Sequence, residues 1–549
     1  MKKLSAAVAI FTSLGMCAAL WAADWPSQGG NPQRDGWAQG ETKLSKASAQ
    51  GGKIVSLYTY QFDNKIAGTT DLTSPIILTN IIGYMGFKQL VFVGGSSDMV
   101  YSIDADLGKP YFKTALAYKG DVALAAAGAS VACPGGLTAA IAIPGASSGG
   151  RGFAPPGTPA PARVGRVART PAPPAFGRGG GGFGGPGQLF AIGSDGYLRN
   201  LRQEDGNADA TAPLKFLPAN ARVSGINVNG GLIYASTVNE CGGNPNGIYA
   251  IKIADGMLAS LMTGGTGGSG TGGTAVGTDG AVYAQIASGK GDIAGNYNDT
   301  VVSLKSDTLA VQDYFTPPEA LPEIAKGAAY PSVTPAVFGY KDKDWIIAGS
   351  RSGRIYILDA DSLGGSDHHT PLYQSDVIVT PDTKFGGNGI WNSFATSLDS
   401  DGTRWLFASV RGPVATKFPT SNGAAPTGSI VAFKIAIEND KPSLEPQWTS
   451  ADMTSPEAPA IANGLIFALS TGQPSRVAKP DGSAYSVTEW EKLAKPASLH
   501  VLDAATGKEY FTSGPAGTYS PSGLAVANAQ IYFSTHDNVL HVYGIPLEK

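Results

Sequence analysis

The sequence predicts an all-β protein, an eight-bladed β-propeller of four-stranded antiparallel blades, and three observations carry that prediction. Short β-rich runs recur in groups of four, separated by turn residues, at a period of tens of residues; repeated meanders of this kind are the sequence form of a propeller. Glycine is abundant, 74 of 549 residues, beside 42% hydrophobic residues, which suits an all-β chain full of tight turns. Finally, the last group lacks a fourth strand while an unpartnered strand stands near the N-terminus, so pairing the two ends closes the ring and removes an exposed edge.

The clearest unit runs over residues 454–543. It opens at Ser455-Pro456, continues through apolar Ala458 to Ile461, turns at Asn463-Gly464 and returns through Leu465-Ile466-Phe467-Ala468-Leu469. A third run, Ser498 to Asp503, leads through Thr506-Gly507-Lys508 into Tyr510-Phe511. Glycine supplies the positive φ of that last turn, and the aromatic after it packs between neighbouring blades. Asp503, Thr506, Gly507 and Lys508 are similar to the docking motif of the PQQ-like repeat of quinoproteins, with Phe511 where that family has tryptophan. Asp104, Gly108, Lys109 and Phe112 repeat the match. The resemblance implies a propeller over the whole of residues 24–549 as one domain.

In chain order, Met1-Lys2-Lys3, an apolar run to about Leu20 and small Ala22-Ala23 predict a secretory signal peptide over residues 1–23, hence a periplasmic or secreted protein. No later apolar stretch is long enough to span a bilayer, so the protein is read as not transmembrane. A net charge of −3 gives no support to nucleic-acid binding. Residues 24–37 are irregular and resemble the start of many exported PQQ-like propellers. Residues 53–60 are the strand that closes blade eight.

Blade one covers residues 73–114, and blade two starts at residues 129–143 and resumes at 188. Between them, residues 145–187 are rich in Gly, Pro and Ala, with five arginines and no acidic residue. Such a segment buries too little apolar area to offset its ordering entropy and is read as a disordered loop inserted in blade two. Blades three to eight follow at Leu232, Ala281, Trp345, Trp405, Leu465 and Ile531. Cys133 and Cys241 are the two cysteines left after the signal segment, and export favours a disulfide between them.

In a propeller the residues leading into the innermost strands crowd one mouth of the central channel. The candidate ligand-binding residues are therefore Asp71, Thr73, Ser74, Arg222, Asn388, Trp391, Asn392, Asp452, Ser455, Glu457 and Ser520. Asp71, Asp452 and Glu457, with Asn388 and Asn392, have the oxygen chemistry of a calcium site. No cluster has metal-ligand spacing, so no metal is assigned, and no nucleophile motif identifies a catalytic residue. His368 and His369 are read as a surface turn, and His500, His536 and His541 lie in or beside strands without a recognisable partner. The resemblance implies PQQ and calcium in the enzymes of the family, whose alcohol-oxidising members carry an adjacent cysteine pair; this sequence has none, and no Cys-x-x-Cys-His haem site. Two functions follow: a binding or scaffold propeller without catalysis, holding a protein or small-molecule partner, or alternatively a PQQ- and calcium-dependent dehydrogenase of alcohols or sugars.

Overall fold

The computed structural model describes residues 24–546 apart from 66–70, 84–85, 119–129, 145–186, 209–210, 266, 269, 289–298, 320–332, 351, 382–386, 476–478, 480, 482 and 484. Residues 1–23, where a signal peptide is expected, and residues 145–186 of the expected disordered loop lie outside the described residues.

Period-two alternation and clustered turn residues generate antiparallel meanders, and these meanders stand in a ring. Blade one is Ile76–Gly83, Gly86–Gly95, Met99–Asp104 and Lys109–Ala115, each paired with the next. Blade seven repeats the plan with Ala460–Ala462, Leu465–Ser470, Ser498–Asp503 and Glu509–Thr512. Blade five does so from Ala336–Tyr340 to Tyr373–Gln374. Blade eight takes its fourth strand from the other end of the chain: Val55–Gln61 pairs antiparallel with Val539–Gly544. This is the expected closure, shifted slightly from residues 53–60.

The turn motif does what its chemistry requires. Asp503 Oδ1 accepts the amides of Ala505 and Thr506 at 2.9 and 3.0 Å, and Gly507 closes the turn at φ +71°. A Cβ on Gly507 would lie 2.4 Å from the ring of Trp448, the aromatic of the outer strand of blade six. Trp448 also donates from Nε1 to Ala504 O at 2.9 Å. Tyr58 of blade eight covers the turn of blade one in the same way, donating its hydroxyl to Ala105 O at 2.9 Å. Each aromatic thus locks one blade to the next, which is why Phe, Tyr or Trp all serve.

Four blades depart from the uniform four-stranded plan. In blade two the expected inner strand over residues 129–143 reduces to one bridge, Ala142 with Phe190, beside Gln188–Ile192, Tyr197–Arg202 and Leu214–Lys215. Pro134 has no N–H to give a ladder, and Gly135 and Gly136 both turn to positive φ. Blades three and four merge into one nine-stranded sheet because Gly267–Gly268 bridges Val238 of blade three to Ile286 and Ser288 of blade four. Gly267 and Gly268, in a glycine-rich stretch of the chain, are thus structural. Blade six carries a fifth strand, Thr420–Ser421, added parallel to the outer edge of Lys441–Thr449.

Candidate functional site

The channel is occupied by the chain itself. Residues 24–41 pass once around its inside and bond to the eight blades in order. Trp25 exchanges both backbone hydrogen bonds with Ile77 of blade one, and Pro26 O accepts from Ile143 of blade two at 3.0 Å. Pro32 O accepts from Asn227 Nδ2 of blade three and from the amide of Val276 of blade four, at 2.9 and 2.8 Å. Gln33, Asp35 and Gly36 carbonyls accept from Val337, Thr396 and Ile461 of blades five, six and seven, and Glu41 Oε2 accepts from Ala529 of blade eight at 2.8 Å. An inner ring of strands has one unpaired edge per blade, and this segment satisfies part of each.

Arg34 is the centre of that segment and is fully buried. It donates from Nε to Thr274 O at 3.1 Å, from Nη2 to Ile226 O at 2.8 Å, and from Nη1 to Ser27 Oγ and Gln28 O. Burial pushes its pKa down to about 9. Sequence reasoning missed it, because its partners are carbonyls and carry no residue-type signal.

Above this segment lie the lead-in residues. Glu457 is buried, accepting from Thr271 Oγ1 at 3.1 Å and from Asn392 Nδ2 at 3.2 Å. Burial raises its pKa, opposed by the positive charge of Arg411. The Arg411 guanidinium lies 4.0 Å from the ring centroid of Trp391, and burial lowers its pKa to about 10 against the pull of Glu457. Arg411 Nε and Trp391 Nε1 are buried without hydrogen-bond partners among the described residues. Asn388 lies beside Gly412, next to Arg411 in the chain.

The other predicted residues have separate duties. Thr73 Oγ1 and Ser74 Oγ accept from the amides of Gly94 and Gly523, each at 2.9 Å. Ser455 and Ser520 are buried and donate to Gln473 O and Ser534 O at 2.8 and 2.7 Å. Asp452 is exposed and accepts from Thr427 as a turn cap. Arg222 donates to Val131 O and Ala132 O, beside the disulfide that joins Cys133 to Cys241 with Cα atoms 5.6 Å apart. Asp71 bonds His536 Nδ1 at 2.7 Å, and His536 Nε2 bonds Glu491 Oε1 of the helix Val487–Leu493 at 3.0 Å. Tyr519 stacks on the same imidazole at 4.6 Å. His536 therefore has the partners that the sequence did not reveal.

The proposed calcium set is accordingly divided: Glu457 with Asn392, Asp71 with His536, and Asp452 on the surface. No group of three His, Cys, Asp or Glu among the described residues is arranged to hold a metal. A quinone fits no better. The space bounded by Trp25, Gln28, Arg34, Thr271, Ser393 and Glu457 measures about 30 Å³, whereas ligand sites occupy about 300–1,000 Å³. One face of the Trp391 ring is covered by the Arg411 guanidinium. The disulfide bridges two blades rather than adjacent residues.

No protein-family model and no curated protein sequence matches the chain. Among solved structures it is similar to a quinohemoprotein alcohol dehydrogenase from Pseudomonas putida, with TM-score 0.54 and 12% identity over 96% of this chain and 81% of that one. It is also similar to the quinohemoprotein alcohol dehydrogenase from Comamonas testosteroni, with TM-score 0.53, 11% identity and the same coverages of 96% and 81%. A europium-containing methanol dehydrogenase gives TM-score 0.52 and 12% identity over 95% of this chain and 89% of that one. Likeness at such identities establishes the fold.

Proposed function

We propose that this chain, a quinoprotein-type propeller by fold, is an exported binding or scaffold module that works without the quinone and calcium of the dehydrogenases. The observation that carries this reading is the filled channel: residues 24–41 bond to every blade, and the space that Trp25, Arg34 and Glu457 bound measures about 30 Å³. Space for about one water molecule holds no planar tricyclic cofactor. Work is then left to the outer surface. That surface includes a depression of about 470 Å³ on blade six, lined by Pro413, Val414, Phe418, Ala424 and Pro426. No helix among the described residues is long and apolar enough to cross a membrane. The signal-like residues 1–23 and the inter-blade disulfide support export to an oxidising compartment.

The test is to incubate the purified protein with PQQ and Ca²⁺ and follow dye reduction over a panel of alcohols and sugars, together with the quinone absorbance. The expected result is no turnover and an unshifted quinone spectrum. Turnover that disappears in Asp71→Ala, Asp452→Ala or Glu457→Ala would restore the dehydrogenase reading.

A further inference from the structure

We propose that the outer edge of blade three is a docking site for an extended, uncharged segment of a partner protein, which adds to Leu258–Met262 as a fifth strand. This rests on the binding reading above and names the surface that performs it.

The outer strand of every blade in an open meander presents a row of backbone groups on its far edge, and proteins protect such edges with charge, proline or a cover. Most blades here do so. Blade one has Lys109, Pro110 and Lys113 on its outer strand, and blade six has Pro442 and Pro446 with the added strand Thr420–Ser421. Blade four has Asp313, and His368 stacks on its Tyr314 at 3.9 Å. Blade seven has Glu509, with Gln50 of the helix Lys46–Gln50 bonded to Tyr510. Blade eight presents polar Ser56, Thr59 and Gln61.

Blade three has none of these. Its outer strand reads Leu-Ala-Ser-Leu-Met and, among the described residues, pairs only with Gly247–Lys252. Ala259 and Leu261 pack inward against the core shared with blade four, while Leu258 and Met262 on the alternate positions are 50% and 45% exposed, and adjoining Met257 is 60% exposed. The outer strand of neighbouring blade two is only Leu214–Lys215, too short to cover them. No described segment hydrogen-bonds the outer edge of Leu258–Met262.

The chemistry of the edge selects its occupant. Unpaired amides and carbonyls require a strand, the exposed Leu and Met require apolar side chains on alternate residues, and nothing on the strand pairs a charge. Five residues give an edge about 17 Å long. That length matches a short peptide strand rather than the broad face, roughly 1,000 Å² in area, through which a second globular copy would bind stably. Blade six shows the mode within this molecule, since its outer edge already accepts an added strand.

The experiment uses the intact protein and a fluorescent peptide of seven alternating valine and threonine residues with a lysine at each end. A second peptide carries proline at the centre. The expected result is saturable one-to-one binding of the first peptide with slowed amide exchange at residues 258–262, binding at least tenfold weaker in the Leu258→Lys/Met262→Lys double variant, and none for the proline peptide. Both substituted side chains are exposed, so the variant folds, as its unchanged thermal transition would record. Absence of saturable binding, equal binding by the double variant, or a dimer of the free protein that the double variant abolishes would overturn the proposal. None of these outcomes bears on quinone turnover, so failure here is distinguishable from failure of the binding reading.

Discussion

Two buried guanidinium groups in the same ring are treated in opposite ways. Arg34, inside the channel, bonds no carboxylate among the described residues but has four hydrogen-bond acceptors, three of them backbone carbonyls. Arg411, toward the mouth, stacks on Trp391 and feels the charge of Glu457, while its Nε lacks a hydrogen-bond partner among the described residues. The first arrangement fixes geometry, because its N–H groups are aimed at carbonyls of blades three and four and at acceptors of its own segment. The second fixes only proximity. A filled channel and a loosely bonded mouth follow from that difference.

The comparison breaks most visibly at Arg34. Arg34→Met keeps the aliphatic stem but removes the guanidinium donor to the Ile226 carbonyl and one of the two donors to the Thr274 carbonyl, whose other is Asn227 Nδ2, and the charge-assisted bonds lost together correspond to about 3–5 kcal/mol. Urea denaturation should show a midpoint falling with little change of slope. A loss below about 1 kcal/mol would mean that residues 24–41 are a passive filling and would reopen the channel as a ligand site.

At the mouth the effect should be smaller. Arg411→Met removes a charge that makes few directional bonds and costs about 1–2 kcal/mol, mostly because Glu457 is left buried without its counter-charge. Adding Glu457→Gln, whose amide oxygen still accepts from Asn392 Nδ2 while its Nε2 can donate to the Thr271 hydroxyl, should recover most of that loss. A double variant no better than the single one would show that Arg411 acts through packing on Trp391 instead.

The same contrast marks what the sequence makes legible. Blades are legible because Leu465–Ser470 and Gln530–Thr535, buried along their whole length between neighbouring blades, carry apolar runs, and because Asp503 and Gly507 have a turn to make. The meeting of Asn392 with Glu457 is legible in outline, since lead-ins to inner strands converge. Asp452 was grouped by the same logic, but its short-range bond to Thr427 holds it at the surface. Arg34 is not legible: its carbonyl partners lie 240 and 192 residues away, and carbonyls look alike in any sequence. His536 and Asp71, 465 residues apart, meet only because the ring closes.

That closure gives the smallest expected effect. Burial alone would lower the pKa of His536, but its hydrogen bonds and charge attraction to Asp71 and Glu491 outweigh this and hold it above the ordinary 6.5. Tyr519 is neutral against the ring, its own pKa raised by burial, and Arg222 acts on Asp71 from the far side. A base whose folded pKa exceeds its unfolded value binds the proton more tightly in the native state. The stabilisation is therefore complete below pH 6.5 and lost as pH rises through the folded value. Its size is about 1 kcal/mol, since Glu491 is nearly half exposed and water screens that pair. Denaturation midpoints of the native protein and of His536→Gln should differ most below pH 6.5 and converge in mild alkali. A difference independent of pH would show that the imidazole holds the helix Val487–Leu493 at the mouth by hydrogen bonding alone, as Arg34 holds the segment inside the channel.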